Sequence, residues 1–134
     1  MSLEPGVREL LTRPNFVHVA TLMPDGSPQA VAVWAGALDD DRVAFFTQPG
    51  SQKARNLDRD GRVAMSIVDH DEPYRTARLR GHLVETREGD AALEVMDEFS
   101  HRHTGKPFPV RSGTLFVFAV DSSAYSELPF ERKT

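Results

Sequence analysis

The chain has 134 residues and contains no cysteine, which excludes disulfide bonds, thiol nucleophiles and cysteine-ligated metal centres. It has no apolar run long enough to cross a bilayer, and no basic-then-apolar segment at its start. We therefore expect a cytoplasmic protein that does not enter a membrane. Lysine is scarce, and the net charge of −4 argues against binding to nucleic acid.

What is present is typical of a soluble globular protein, with 40% hydrophobic and 27% charged residues. The length suits a single domain over residues 1–134. Alternating apolar residues predict six strands, at Phe16–Met23, Gln29–Ala35, Arg42–Thr47, Arg62–Val68, Tyr74–Thr86 and Thr114–Val120. Helical spacing predicts three helices, at Glu4–Thr12, Gln52–Asp60 and Gly89–His103.

This order of elements predicts a mainly β fold, a small antiparallel barrel with short flanking helices. Gly61 is expected to cap the second helix. The last strand is apolar on both faces, so we expect the core to cover one face and a helix or a partner subunit to cover the other.

The most informative segment is Thr47–Leu57, which leaves a strand, turns at Pro49-Gly50 and enters a helix through Ser51. Lys53 and Arg55 lie near the start of this helix and acids lie near its end, which is the reverse of what the helix dipole favours. An anion bound at the helix N-terminus would explain the arrangement. The alternative is that both cations are simply solvated.

Other candidate sites carry less weight. A metal site would draw on histidines and carboxylates near one another in sequence. These are His70, His101, His103, Asp69, Asp71 and Glu72. Their spacing fits no usual zinc pattern, so we predict no metal. The chain also has no G-x-S-x-G elbow, P-loop or Gly-rich dinucleotide loop.

Two further features remain open from the residues alone. Trp34, the single tryptophan, lies near the end of the second strand. It would either pack on the planar ring of a ligand or belong to the protein core or a dimer interface. Tyr74, Arg78 and Arg80 share one parity of the fifth strand, so they would form a second anion contact or a solvated face.

The chain contains, in this order, a hairpin, Phe45-Phe46-Thr47, Ser51-Gln52-Lys53, Leu57 and the strand from Arg62. This order resembles the flavin split-barrel family, which is best known from pyridoxamine 5′-phosphate oxidase. Residues 50–60 resemble more closely the branch that uses the deazaflavin coenzyme F420. The resemblance covers about Phe16 to Glu85 and implies a six-stranded antiparallel split β-barrel.

The resemblance further implies a homodimer with the cofactor at its interface, and a phosphate held by the Ser-x-Lys turn. The implied cofactor-binding residues are Thr47, Ser51, Gln52, Lys53 and Arg55, with Val33 and Trp34 along the ring. Tyr74 and Arg78, from the shared face of the fifth strand, are added as candidate cofactor contacts. No catalytic residue is implied.

The chain departs from the pyridoxamine phosphate oxidase pattern at Ala30 and Ala35, where that pattern has Arg and Lys. Without these cations, a phosphorylated pyridoxine substrate would lack bidentate partners. The leading hypothesis is therefore an F420H2-dependent reductase that transfers a hydride to a conjugated small organic acceptor. One alternative is an FMN-dependent oxidoreductase. Another is a non-catalytic module that binds flavin or haem, in which His70, His101 or His103 would be the ligand of the haem iron. The last is a barrel that binds no ligand.

Overall fold

A computed structural model describes residues 3–131 and 133. Its elements, in chain order, are α1 (Pro5–Thr12), β1 (Phe16–Leu22), β2 (Pro28–Ala37), β3 (Arg42–Thr47), α2 (Gln52–Arg59), β4 (Arg62–Val68), β5 (Arg75–Arg87), α3 (Gly89–Thr104) and β6 (Thr114–Glu127). The six strands form a closed antiparallel barrel in the order β1-β2-β3-β6-β5-β4. The predicted mainly β barrel with three short helices is confirmed.

Alternation along the strands decides which residues fill the barrel. Val17 and Val19 of β1 are fully buried, whereas His18 between them is exposed. Phe45 of β3 stacks on Phe118 of β6 with ring centroids 5.5 Å apart. Burial of such large side chains contributes roughly 1.5–3 kcal/mol each to folding, so the inward-facing residues are the main source of barrel stability.

The outer face of β6 is covered by a helix of the same chain. Leu115 and Val117 are fully buried in a second cluster with Met96 and Phe99 of α3. Of the two coverings that the sequence allowed for this strand, the structure shows the helix. The two-sided apolar strand is therefore no evidence for a partner subunit.

Strand β6 extends to Glu127, well beyond the predicted end at Val120. Its second half is polar and pairs only with β5, as in the pairs Arg80↔Ser122 and Arg78↔Ala124. The apolar alternation that marks a strand stops at Val120, because residues 121–127 are exposed or half-buried, and of them Tyr125 packs against the core.

Gly61 does not cap α2, so that prediction is wrong. The helix ends at Arg59, and Gly61 lacks the left-handed backbone of a glycine cap. A Cβ atom at this position would lie 3.0 Å from the Cβ atom of Leu83. Glycine is needed here because β5 passes close by.

The helices are placed unevenly around the barrel. α1 contacts β2, β4, β5 and β6, α2 contacts β1, and α3 contacts β2 and β6. None of the three, within the part of the chain that the structure describes, has the length and apolarity needed to cross a membrane.

Candidate functional site

The loop between β3 and α2 is built by short-range hydrogen bonds. Gly50 has φ +82°, a left-handed conformation that glycine adopts without steric cost, and it turns the chain into the helix. The Ser51 side chain caps α2 by accepting a hydrogen bond from the Ala54 backbone N–H at 3.2 Å. Thr47 Oγ1 donates to Ser51 Oγ at 3.0 Å, so the end of β3 and the start of α2 are tied together.

The two cations near the start of α2 have different surroundings. The Arg55 guanidinium donates to the Gly50 carbonyl at 2.7 Å and to Gln52 Oε1 at 2.5 Å, so it folds back and braces the loop. The Lys53 ammonium group makes no hydrogen bond or ion pair with any other residue that the structure describes. Its side chain lines a depression of about 230 Å³ that is also lined by Thr47, Val33 and Trp34.

The charge reversal predicted for α2 holds at one end only. The first turn contains no acid, but Arg59 lies in the last turn and donates to the Leu22 carbonyl. Asp60, beyond the helix end, pairs with Arg62 at 2.7 Å. The last turn thus holds both Asp58 and Arg59, and the clear departure from the dipole preference lies at the N-terminus. There the backbone N–H groups of Gln52 and Lys53 have no acceptor within the helix.

An aromatic cluster forms one wall of the depression. Its members come from β1, β2, β3, α3 and the loop after α3: Phe16, Trp34, Phe46, His103 and Phe108. Trp34 stacks on His103 with centroids 4.8 Å apart and planes inclined by 9°, and it meets Phe108 edge-on at 6.0 Å. The cluster presents an apolar, partly exposed surface next to the Lys53 ammonium group.

His103 is held in its neutral form by its surroundings. Partial burial, with the nearby Arg102 charge as a smaller cause, lowers the pKa of His103 below its ordinary value. A neutral imidazole stacked on an indole adds no charge to the wall, so Lys53 is the cation at this depression.

Two contacts position the aromatic cluster. A Cβ atom on Gly36 of β2 would lie 2.8 Å from the Phe99 ring of α3, so glycine allows the helix to approach the strand closely. Asp97 of α3 accepts hydrogen bonds from the Phe108 backbone N–H at 3.0 Å and from Arg111 at 2.8 Å. The Arg111 bonds lower the pKa of Asp97 to about 2, so this carboxylate stays charged and holds the loop that carries Phe108.

The structure brings together some of the predicted site residues and separates others. Thr47, Lys53, Val33 and Trp34 line the depression, while Ser51, Gln52 and Arg55 organise the loop behind it. Tyr74 lies elsewhere, before β5 and against Phe130, with ring centroids 5.4 Å apart.

Arg78 lies on the exposed outer face of β5, in a separate groove shared with Arg80.

The sequence analysis did not predict Phe46, Phe108 and Phe16 as residues of the aromatic wall. Phe108 carried no local signal, since it lies in an irregular loop whose position is set by Asp97.

A family model described as pyridoxamine 5′-phosphate oxidase matches residues 3–126. The chain belongs to this family. A pyridoxine/pyridoxamine 5′-phosphate oxidase of Vibrio atlanticus is 30% identical over 100 residues, which cover 75% of this chain and 45% of that enzyme. The chain thus spans about half the length of the curated relatives it matches.

Solved structures of similar fold cover nearly the whole chain. A protein described as an F420 reductase superposes with a TM-score of 0.78 and 28% identity, over 91% of this chain and 98% of that one. A conserved hypothetical protein of Mycobacterium tuberculosis superposes with a TM-score of 0.79 and 22% identity, over 100% of this chain and 93% of that one. The second similarity shows the fold alone.

The two alanines that depart from the pyridoxamine phosphate oxidase pattern lie in different places. Ala30 is exposed and lines the outer groove, whereas Ala35 is 2% exposed and belongs to the barrel core. Ala30 therefore leaves room at the surface. Ala35 leaves none, because the core packs around it.

The acids weighed as metal ligands form ion pairs instead. Asp69, 1% exposed, lies 3.5 Å from both Arg13 and Arg75, and Asp71 pairs with Arg13 at 2.9 Å. Within residues 3–131 and 133, no three acidic or histidine side chains are grouped so as to hold a metal ion. These contacts fasten α1 to the β4–β5 turn.

Proposed function

We propose that this chain binds coenzyme F420 and, with its reduced form, transfers a hydride to a conjugated small organic acceptor. The observation that carries the proposal is Lys53, a cation without an ion-pair partner among the described residues, at the N-terminus of α2 and beside the aromatic cluster. The similarity to the F420 reductase supports the choice of cofactor.

The residues of the depression suit a molecule with an anionic arm and a planar ring. The Lys53 ammonium group and the free N–H groups at the start of α2 would hold a phosphate, with Thr47 and Ser51 fixing the loop geometry. Trp34 and Val33 would line the ring, and the aromatic cluster would keep water away from it. The bound reduced deazaflavin supplies the hydride.

FMN is the second candidate cofactor, because the family model and the curated relatives are named for pyridoxamine 5′-phosphate oxidase. It also carries a phosphate on its side chain and has a similar fused ring. Parallel fluorescence titrations of the apo protein with F420, FMN and FAD separate the two. Tighter binding of FMN than of F420 would overturn the first choice.

We further propose that the chain acts as a homodimer through the uncovered outer face of β1, β4 and β5. α2 and His103 of α3 contact β1, whereas the small side chains Ala20 and Ala64 line an open groove on this face. The partner subunit would then complete the cofactor site from the side opposite Lys53.

Replacement of Lys53 by alanine tests the phosphate anchor. We expect Lys53→Ala to weaken F420 binding by about 1.5–3 kcal/mol, the usual contribution of a charge-assisted hydrogen bond. Lys106→Ala is the matched control, because Lys106 is exposed in the loop after α3. Wild-type F420 affinity in Lys53→Ala would show that the anchor is misassigned.

A further inference from the structure

A chain of side-chain hydrogen bonds runs from β1 through α2 to the turn at Gly50. It begins at Thr21, 1% exposed, whose Oγ1 accepts a hydrogen bond from Asn56 Nδ2 at 3.0 Å. Asn56 Oδ1 accepts from Gln52 Nε2 at 2.8 Å, one helical turn earlier. Gln52 Oε1 accepts from the Arg55 guanidinium, which also donates to the Gly50 carbonyl at 2.7 Å. This hydrogen-bond chain connects the start of α2 to the barrel.

Asn56 is the central member of the hydrogen-bond chain. It is fully buried, on a helix whose buried neighbours Ala54 and Leu57 belong to the barrel core. An amide taken out of water costs free energy unless its polar atoms find partners. Here they do, because Nδ2 donates to Thr21 and Oδ1 accepts from Gln52.

Stability alone does not explain an asparagine at this position. Asparagine is a weaker helix former than leucine, because its side chain competes for backbone hydrogen bonds. A leucine of similar size would also bury more apolar surface against β1. Positions that depart from such local preferences are expected at functional sites. What the amide supplies, and leucine lacks, is a donor toward Thr21 together with an acceptor toward Gln52.

The loop before α2 is thus held from two strands. The hydrogen bond from Thr47 to Ser51 ties it to β3, and the hydrogen-bond chain ties it to β1. Between these ties, the Ser51 backbone N–H donates to the Gln48 carbonyl at 3.3 Å and closes the turn. The direction of the first N–H groups of α2 depends on this turn, because they follow it directly in the chain.

The hydrogen-bond chain also separates the roles of the two cations. Arg55 is held by Gln52 and Gly50 and is not among the residues that line the depression. Lys53 does line it, and its ammonium group is left available on the same helical turn. Gln52 therefore determines which of the two cations faces the depression.

We infer that Asn56 is a positioning residue for the loop before α2. It holds Gln52 and, through Arg55, the Gly50 turn, in the arrangement that presents Lys53 and the first N–H groups of α2 to an anion. The inference rests on the proposed function for the anion only. It assigns Gln52 and Arg55 to the hydrogen-bond chain rather than to direct contact with the cofactor.

Amide hydrogen exchange tests the positioning on the apo protein. Asn56→Leu removes both hydrogen-bonding atoms at similar volume, and we expect the Ser51 and Ala54 amides to exchange at least about fivefold faster. Gln52→Met breaks the same chain at a half-buried position and should have the same effect without altering the core. Leu57→Met is the matched control, since it changes the packing of α2 but none of these hydrogen bonds.

A double-mutant cycle with F420 separates positioning from general loosening of the helix. In the wild-type protein, Lys53→Ala should weaken F420 binding about tenfold or more. In the Asn56→Leu background, the same replacement should weaken it less than about threefold, because Lys53 is no longer held toward the phosphate. In the Leu57→Met background, the full effect of Lys53→Ala should remain.

Wild-type exchange of the Ser51 and Ala54 amides in both Asn56→Leu and Gln52→Met would overturn the inference. A full effect of Lys53→Ala in the Asn56→Leu background would overturn it as well. Thermal unfolding confirms that each variant is folded, and Gln52→Met takes over both measurements if Asn56→Leu does not fold. Faster exchange in a protein that binds no F420 would support the positioning role of Asn56 and refute the proposed function.

Discussion

Trp34 of β2 and His103 of α3 lie far apart in sequence but stack face to face beside Lys53. From the sequence alone, Trp34 could also have been a core or interface residue, and His103 was considered as a metal or haem ligand. In the structure, each residue limits the position of the other. The wall of the candidate site therefore depends on a side-chain pair, and neither residue alone would form it.

Because the pKa of His103 is lowered, the free energy of unfolding should depend on pH below neutrality. Above the ordinary histidine pKa of 6.5, the imidazole is neutral in both the folded and the unfolded chain. As the pH falls below 6.5, the unfolded chain binds a proton first, so the free energy of unfolding decreases until the folded pKa is passed. We expect His103→Gln to lose part of this decrease, measured by urea unfolding at pH 7 and pH 5.

His101→Gln is the matched control, because His101 is exposed on the same helix. It should keep the wild-type difference between the two pH values. The same difference in His103→Gln as in the wild-type protein would contradict the assigned burial.

At the scale of elements, the segment from β3 to β4 is the part that the sequence predicted best. The bounds of β3 and β4 agree with the structure, and α2 ends one residue before its predicted end. The signals here are local: an apolar strand, a Pro-Gly turn, a serine cap and a helical apolar face. The loop after α3 had no such signals, because an ion pair and a backbone hydrogen bond to Asp97 hold it.

Asp97 should control this loop in a pH-dependent manner. Its pKa is lowered from 3.8 to about 2, so its contribution to stability is complete above pH 3.8 and is lost as the pH falls through about 2. We expect Asp97→Asn to release the loop already at neutral pH. Hydrogen exchange of the Phe108 amide should become faster in this variant.

Glu94→Gln is the control for that measurement, since Glu94 is an exposed acid one turn earlier on α3. Unchanged protection of the Phe108 amide in Asp97→Asn would show that other contacts hold the loop.

At the scale of the whole molecule, the helices leave one side of the barrel open. Leu115 and Val117 of β6 are buried under α3, whereas Ala64 of β4 lies in an open groove. A sheet face of small side chains without a covering helix is the surface on which the proposed second copy would pack. The apolar strand that first suggested a partner is the one that the chain covers itself.

The proposed dimer makes a prediction that sedimentation equilibrium can check. We expect Ala64→Glu to convert dimer to monomer and to weaken F420 binding, because a buried, unpaired carboxylate is costly at an interface. Val84→Glu is the control, since Val84 is 48% exposed and does not line the groove. A dimer that persists in Ala64→Glu would place the interface elsewhere.

The sequence by itself determined the family, the barrel class and the loop that leads into α2 and carries Lys53, because these depend on residues adjacent in the chain. Only the tertiary structure decided which helix covers β6, that Tyr74 stands apart from Arg78, and that Phe108 and His103 border the site. It also decided that Arg78 and Arg80 line the same outer groove as Ala20, Ala30 and Ala64. These features arise from strand register and helix docking, which join distant residues and leave no periodic signal in the chain.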